Sequence, residues 1–177
     1  MAMKHSFFLI GLILLNTLFI SCKKDNINYE RDFDKSFKEW THFKITSDNS
    51  YQYEVIGSTW IGYSWKTVIT ITDGKPTQRY FKLTPAPGRT VNIPADQLEW
   101  TEKENELNTH TQSPAAATIT LDEIYDKARK EWLIKRDKAQ VYFEAKNNGM
   151  ISTCGYVNDG CADDCFNGIH ISSIQPL

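Results

Sequence analysis

The chain has 177 residues, of which 41% are hydrophobic and 12% aromatic, and its formal net charge is −2 at pH 7. This composition excludes an intrinsically disordered protein, because such chains combine low hydrophobicity with high net charge. The near-neutral charge argues against a nucleic-acid-binding protein, which presents a basic face, and the length suits a single domain.

An N-terminal apolar run, residues 7–20, follows Lys4 and ends just before Ser21 and Cys22. A basic start, a short apolar run and a small residue are typical of a bacterial secretion signal. The run is shorter than the roughly 20 residues that a membrane-spanning helix needs. Two alternatives stay open: a conventional signal peptide with a coincidental cysteine, and an uncleaved anchor.

The residues from Phe19 to Cys22 resemble a lipobox, the cleavage site of bacterial lipoproteins, although that pattern prefers Leu where Phe19 stands. The resemblance implies that residues 1–21 are a signal peptide. It also implies that Cys22 carries acyl chains such as palmitate and anchors the protein to a membrane. Residues 22–28 then form a polar tether, which is either a solvated linker or, through Lys23 to Asp25, a partial surface-export signal.

Residues 29–177 are predicted to form one domain, which begins with a helix at 29–43. Aromatic residues recur there at spacings of four, four and three, which is the period of one helix face. These residues are Tyr29, Phe33, Phe37 and Trp40. We expect this face to pack on a sheet.

From residue 50 the hydrophobic period becomes two, which is typical of half-buried strands. Asp73 and Gly74 give a strong hairpin signal, because glycine adopts positive φ at little cost. The Pro-rich segment 85–88 ends the return strand. The strands predicted in this half are 51–55, 63–72, 78–84 and 97–103.

Residues 120–136 have the strongest helical pattern, and Thr120 with Glu123 fits a capping box. Three further strands are predicted at 140–145, 150–156 and 168–174, and the last two flank a loop at 157–167. Short turns between successive strands indicate antiparallel pairing. We therefore predict an α+β fold in which an antiparallel sheet of six to seven strands carries two helices on one face.

The second half of the chain resembles a group of Bacteroidota-type lipoproteins of unknown function. The resemblance covers about half of the mature chain and implies a location in the cell envelope, but no chemistry. It is carried by Trp100-Thr101-Glu102, Thr120-Leu121-Asp122-Glu123-Ile124-Tyr125, Asn148-Gly149-Met150-Ile151-Ser152, Cys154-Gly155-Tyr156 and the segment from Cys161 to Ile169.

The predicted domain contains three cysteines, Cys154, Cys161 and Cys165. Outside the cytoplasm, nearby cysteines usually form disulfides. If the segment from Cys161 to Cys165 turns helically, their Cβ atoms lie too far apart for a bridge. A hairpin would bring Cys154 to Cys165. We therefore predict a Cys154–Cys165 disulfide, with Cys154–Cys161 as the second choice.

The same loop offers two metal sites as alternatives to the expectation of no cofactor. A zinc ion takes thiolate and imidazole ligands, which could come from Cys154, Cys161, Cys165 and His170. A calcium ion takes carboxylate ligands, which could come from Asp159, Asp163 and Asp164. Neither spacing matches a zinc finger or an EF-hand.

A second candidate site is a group of aromatic residues beside glycines, Trp60, Tyr63 and Trp65. Such side chains can stack on a sugar ring or on a partner protein, although one tryptophan is expected to lie in the core. The sequence lacks the common motifs of serine hydrolases, dinucleotide-binding folds, P-loop enzymes and zinc proteases.

These observations favour a non-enzymatic, lipid-anchored domain of the bacterial outer membrane. Its expected partner is an envelope protein, a peptide or a glycan, and not a nucleic acid. The alternative is a periplasmic metal-binding protein or enzyme that uses the Cys/Asp-rich loop within residues 154–170. That alternative requires His110 or His170 to lie within a few ångströms of Cys161 or Asp163.

Overall fold

The domain is built on one antiparallel sheet of seven strands. The structure, a computed structural model, describes residues 26–88, 93–163 and 165–177. The predicted signal peptide, Cys22 and Asp164 lie outside the described residues. The spatial order of the strands is β4-β3-β2-β1-β7-β6-β5. They are β1 (Tyr51–Ser58), β2 (Tyr63–Thr72), β3 (Lys75–Pro85), β4 (Glu99–Lys103), β5 (Ala139–Glu144), β6 (Thr153–Asn158) and β7 (Asn167–Pro176).

Two longer helices and one short helix accompany the sheet. They are α1 (Glu30–Thr46), α2 (Ala95–Leu98) and α3 (Leu121–Lys127), and a π-helical turn (Ala128–Trp132) extends α3. The predicted capping box is confirmed: Thr120 Oγ1 accepts the Glu123 N–H at 3.2 Å, and Glu123 Oε2 accepts the Thr120 N–H at 2.7 Å. These bonds satisfy amide groups that have no partner within the helix.

The helical segment ends earlier than the predicted residue 136, because the N-terminal segment pairs with the chain that follows it. The Asn28 N–H donates to the Leu133 carbonyl at 2.7 Å, and Ile27 forms an antiparallel bridge with Ile134. The residues after Trp132 therefore use their backbone groups for pairing between segments instead of another helical turn.

Helices α1 and α3 pack on the same face of the sheet, which confirms the predicted α+β fold. The Trp40 ring of α1 lies 5.2 Å from the ring of Tyr51 on β1 and 6.3 Å from that of Tyr125 on α3. The Tyr51 hydroxyl accepts the Leu121 N–H at 2.9 Å. Burial of each large side chain contributes roughly 1.5–3 kcal/mol, so this shared layer is the main core.

The predicted aromatic face of α1 is only partly buried. Phe33 and Trp40 lie in the core, whereas Tyr29 and Phe37 are more than one-third exposed near the edge of the contact with α3 and β5. Among the described residues, the structure has no helix with the length and apolar character needed to cross a membrane.

Candidate functional site

The sheet separates between β1 and β7, and this separation forms a groove. Tyr51 to Val55 of β1 pair with the C-terminal half of β7, and the last pair is Val55 with Ile171. Ser172 is skipped in the register, which marks a bulge on β7. Beyond the bulge, residues 167–170 pair with β6. The end of β1 and the start of β7 therefore diverge.

The groove between these diverging segments has a volume of about 890 Å³. This volume is in the range of pockets that bind small molecules. One side is formed by hydrophobic residues of the helix-bearing face, Val55, Ile119, Trp132 and Ile169. Val55, Trp132 and Ile169 also belong to the core cluster, and Ile119 packs against it. The hydrophobic interior of the domain thus extends into the groove.

The segment that carries Ile119 is held over the sheet by hydrogen bonds to buried strand residues. The Tyr53 hydroxyl donates to the Ile119 carbonyl, and the Ala116 N–H donates to Thr67 Oγ1 at 3.0 Å. Arg79 Nη1 donates to the Ala116 carbonyl at 3.3 Å. One wall of the groove is therefore fixed to β1, β2 and β3 rather than being a loosely attached loop.

The charged groups at the groove neutralise each other. Lys66 Nζ lies 2.9 Å from Glu54 Oε2, and Ser172 Oγ donates to Glu54 Oε1 at 2.8 Å. Partial burial would raise the pKa of Glu54, but the hydrogen bonds from Lys66 and Ser172 hold that pKa below its ordinary value. The carboxylate accordingly stays ionised near pH 7 and paired with the lysine, so the groove carries no net charge from this pair.

His170 lines the groove from β7. Its ring stacks on Phe166 with the centroids 4.3 Å apart, and Nδ1 lies 3.3 Å from Thr153 Oγ1. Burial lowers the pKa of His170, although the charge of Glu144 opposes this effect. The imidazole is therefore neutral at pH 7 and presents an aromatic surface rather than a cation.

Of the three residues of the predicted aromatic site, Trp65 lines the groove, whereas Trp60 and Tyr63 do not. Trp65 lines the groove, and its ring lies directly over Gly57, where an added Cβ would come within 2.4 Å of it. Trp60 is 76% exposed in the β1–β2 connection, next to Thr59, which lines the groove. Tyr63 is half-buried at the start of β2. Neither tryptophan belongs to the buried core, so the prediction that at least one of them lies there is wrong.

The predicted Cys154–Cys165 disulfide is wrong, as is the second choice, Cys154–Cys161. The structure bonds Cys161 to Cys165, with Cα atoms 6.2 Å apart, and leaves Cys154 as a buried free thiol. The described residues of this segment, 161–163 and Cys165, are not in a helix, so the assumed separation of the two Cβ atoms does not apply. Cys154 points from β6 into the core, where burial raises the pKa of its thiol.

This disulfide also removes the predicted zinc site, because Cys161 and Cys165 cannot act as thiolate ligands while they are bonded to each other. The described residues contain no group of three or more His, Cys, Asp or Glu side chains arranged to hold a metal ion. Asp159 and Asp163 lie in the exposed loop. The contacts of His170 are with Phe166 and Thr153, and those of His110 are with Trp100 and Glu102. Among the described residues, which do not include Asp164, the structure does not bring the proposed metal ligands together.

A buried ion pair that the sequence reasoning did not identify supports the groove from the side of β3 and β4. Arg79 is 4% exposed and Glu102 is 1% exposed. Arg79 Nε and Nη2 donate to Glu102 Oε2 and Oε1, both at 2.8 Å. Two parallel charge-assisted bonds of this kind are among the strongest in proteins.

Glu102 also holds the loop that follows β4. Its carboxylate accepts the N–H groups of Asn108 and His110, both at 2.7 Å, and lies 2.9 Å from His110 Nδ1. The His110 ring stacks on Trp100 with the centroids 4.1 Å apart. Arg79 stands two residues before Phe81 and Glu102 two residues after Trp100. Residues two apart in a strand point to the same face of the sheet, and Phe81 and Trp100 are buried. This spacing is therefore the sequence signal that both charged side chains face inward.

No protein-family model, no curated protein and no solved structure matches this chain. The resemblance to Bacteroidota-type lipoproteins therefore stays a prediction.

Proposed function

We propose that this protein is a lipid-anchored binding domain of the bacterial cell envelope. Cys22 holds it at the outer membrane, and its partner binds in the groove between β1 and β7. The groove is the observation that carries the proposal, since an extension of the hydrophobic core and the ring of Trp65 both line it. Its internal charges are paired, which favours an uncharged peptide or a glycan over a nucleic acid.

The anchor is tested by replacing the lipid-bearing cysteine. We expect Cys22→Ala to move the protein from the membrane fraction to the soluble fraction or to leave it unprocessed. Each buried CH₂ of an acyl chain contributes about 0.8 kcal/mol, and two or more chains hold a protein stably at a membrane. The measurement is fractionation of cells together with metabolic labelling by a fatty acid.

Lys23→Ala is the matched control, because it changes the tether without removing the lipidated thiol, and it should stay in the membrane fraction. Undiminished membrane association and labelling of Cys22→Ala would contradict the anchor.

The groove is tested by filling it. Ala117 is exposed and lines the groove, so Ala117→Trp should occupy part of its volume without disturbing the core. Ala95 is exposed on α2 and is not a lining residue, which makes Ala95→Trp the matched control. We expect the wild type and Ala95→Trp to bind the same members of a peptide and glycan panel, and Ala117→Trp to lose about tenfold in affinity.

Binding that survives equally in both variants would place the partner elsewhere, and a panel without any binder would contradict the binding function.

A further inference from the structure

We propose that the groove takes an extended peptide, which inserts as an additional strand between the diverging segments of β1 and β7. The inference rests on the proposed function, since it names the class of partner for the same groove. Three observations support it: the direction of the backbone groups on both strands, the side chains that an inserted strand would meet, and the need for a partner segment whose two edges are both unpaired.

The backbone groups of β1 alternate between its two neighbours. The Thr59 N–H donates to the Tyr63 carbonyl at 2.8 Å, so the backbone groups of Thr59 point towards β2. In an antiparallel sheet the N–H and C=O of one residue point to the same side, and successive residues alternate. Ile56 and Ser58 therefore direct their N–H and C=O groups away from β2 and towards β7. Both residues line the groove and lie beyond the last β1–β7 pair.

The facing segment of β7 shows the complementary pattern. The Ile171 N–H donates to the Ser152 carbonyl at 2.7 Å, so the backbone groups of Ile171 point towards β6. By alternation, those of His170 and Gly168 point towards β1. Both residues line the groove. The groove thus has two strand edges that face each other, and each presents donors and acceptors at every second residue.

An extended peptide matches this spacing. Strands rise about 3.3 Å per residue, so alternate residues offer an N–H and a C=O about 6.6 Å apart on each edge. A peptide between β1 and β7 can therefore pair with both edges at once, as in recognition by strand addition. In this mode of recognition the main-chain hydrogen bonds supply the affinity, so pairing along both edges is favourable. A glycan offers hydroxyl groups but not this regular alternation.

The side chains of the groove select an alternating, uncharged sequence. On the helix-bearing face an inserted strand would meet Val55, Ile119 and Ile169, which suits an apolar residue at every second position. On the other face it would meet Ile56 and the neutral His170, where small polar or aromatic residues fit. The Glu54–Lys66 pair leaves no unbalanced charge for a charged peptide to neutralise.

A second folded copy of the domain is a poorer occupant. An inserted strand must be free on both edges, whereas each of the seven described strands is already paired on at least one edge. Insertion therefore requires a segment that is extended and unpaired before it binds. This requirement favours a flexible peptide or the unstructured terminus of another protein.

The test begins with a random heptapeptide display library selected on the mature wild-type protein and counter-selected on Ala117→Trp. The best peptide is synthesised in three forms: unmodified, N-methylated on the odd-numbered amides, and N-methylated on the even-numbered amides. Each methylated form blocks one edge of the strand and keeps every side chain. Affinity is measured by fluorescence anisotropy with a labelled peptide, and amide hydrogen exchange of the protein is followed by NMR.

Insertion between two strands uses both edges, so we expect each methylated form to bind about tenfold more weakly than the unmodified peptide. A peptide that paired with only one edge could reverse its direction and turn the methylated edge to solvent. Exchange at Ile56, Ser58, Gly168 and His170 should slow on binding, whereas exchange at Gly57, which faces β2, should stay unchanged.

Three results would overturn the inference: selection of no peptide, binding that tolerates methylation of either edge, or peptide-free dimers detected by light scattering that Ala117→Trp abolishes. If no peptide is selected but a glycan binds the groove, the proposed binding function stands and strand insertion fails. If neither binds, the proposed function fails as well.

Discussion

Replacement of Glu102 by alanine is expected to lower the free energy of unfolding by about 3–5 kcal/mol, because it leaves the Arg79 guanidinium buried without its partner. Both side chains are almost fully buried, and the carboxylate also accepts the N–H groups of Asn108 and His110. The substitution therefore removes the ion pair and releases the loop after β4. The measurement is urea unfolding of the variant and the wild type.

Two control variants distinguish the loss of the buried Arg79–Glu102 ion pair from the loss of a negative charge in general. Glu99 pairs with Lys82 at 2.9 Å on an exposed surface, where solvent screens the interaction, so Glu99→Ala should destabilise the domain far less than Glu102→Ala. The double variant Arg79→Met with Glu102→Leu should be more stable than Glu102→Ala alone, because no charge is left buried. Equal losses for Glu102→Ala and Glu99→Ala would contradict the assigned role of the pair.

The Glu102 carboxyl also makes the stability of the domain depend on pH. Burial would raise the pKa of Glu102, but the hydrogen bonds from Arg79 and from His110 outweigh it and hold the pKa well below its ordinary value. A depressed pKa in the folded state contributes stability above the unfolded value of about 4.3. That contribution is lost as the pH falls from about 4.3 towards the folded value. Glu102→Gln should therefore show a weaker decline of melting temperature with acid than the wild type.

Replacement of Gly168 by alanine is expected to destabilise the domain by about 3 kcal/mol, near the upper end of the usual cost of overpacking. A Cβ added at Gly168 would lie 2.2 Å from the Cys154 carbonyl oxygen and 2.5 Å from the Gly155 Cα. These are backbone atoms of the paired strand β6, so they can move only if the strands separate. Thermal unfolding of the variant gives the change, and hydrogen exchange shows whether β6 and β7 lose protection.

Gly57→Ala is the matched control, because it also places a methyl group in contact with a close neighbour. At Gly57 that neighbour is the ring of the half-buried Trp65, at 2.4 Å, and a side chain can rotate away where a backbone cannot. Gly57→Ala should therefore cost less than Gly168→Ala and should change the fluorescence of Trp65. A Gly168→Ala variant as stable as Gly57→Ala would show that β6 and β7 are not packed as closely as described.

The periodicities of the sequence were sufficient to predict most elements of this fold. Alternation around Tyr51, Tyr53 and Val55 indicated the first strand, and the Thr120–Glu123 spacing indicated the start of α3. Both signals are local, because side-chain direction repeats every two residues in a strand and a capping box spans one helical turn. Antiparallel pairing of successive strands then followed from short turns, whereas the pairing of β1 with β7 joins distant segments and was not predicted.

The functional surfaces depended on contacts between distant segments. The Cys161–Cys165 bond required the actual path of the loop, which the spacing of the cysteines did not define. The pairing of Arg79 with Glu102 joins residues of two strands that are 23 residues apart in sequence, and no local pattern identified it.

The sequence by itself determined the strands, the two main helices and the expectation of a lipid anchor at Cys22. Only the tertiary structure decided that β1 and β7 separate beyond Val55 and Ile171, which creates the groove. The physical reason is that hydrophobic alternation defines which face of a strand is buried, whereas the point where two strands stop pairing depends on a bulge and on neighbours far away in sequence.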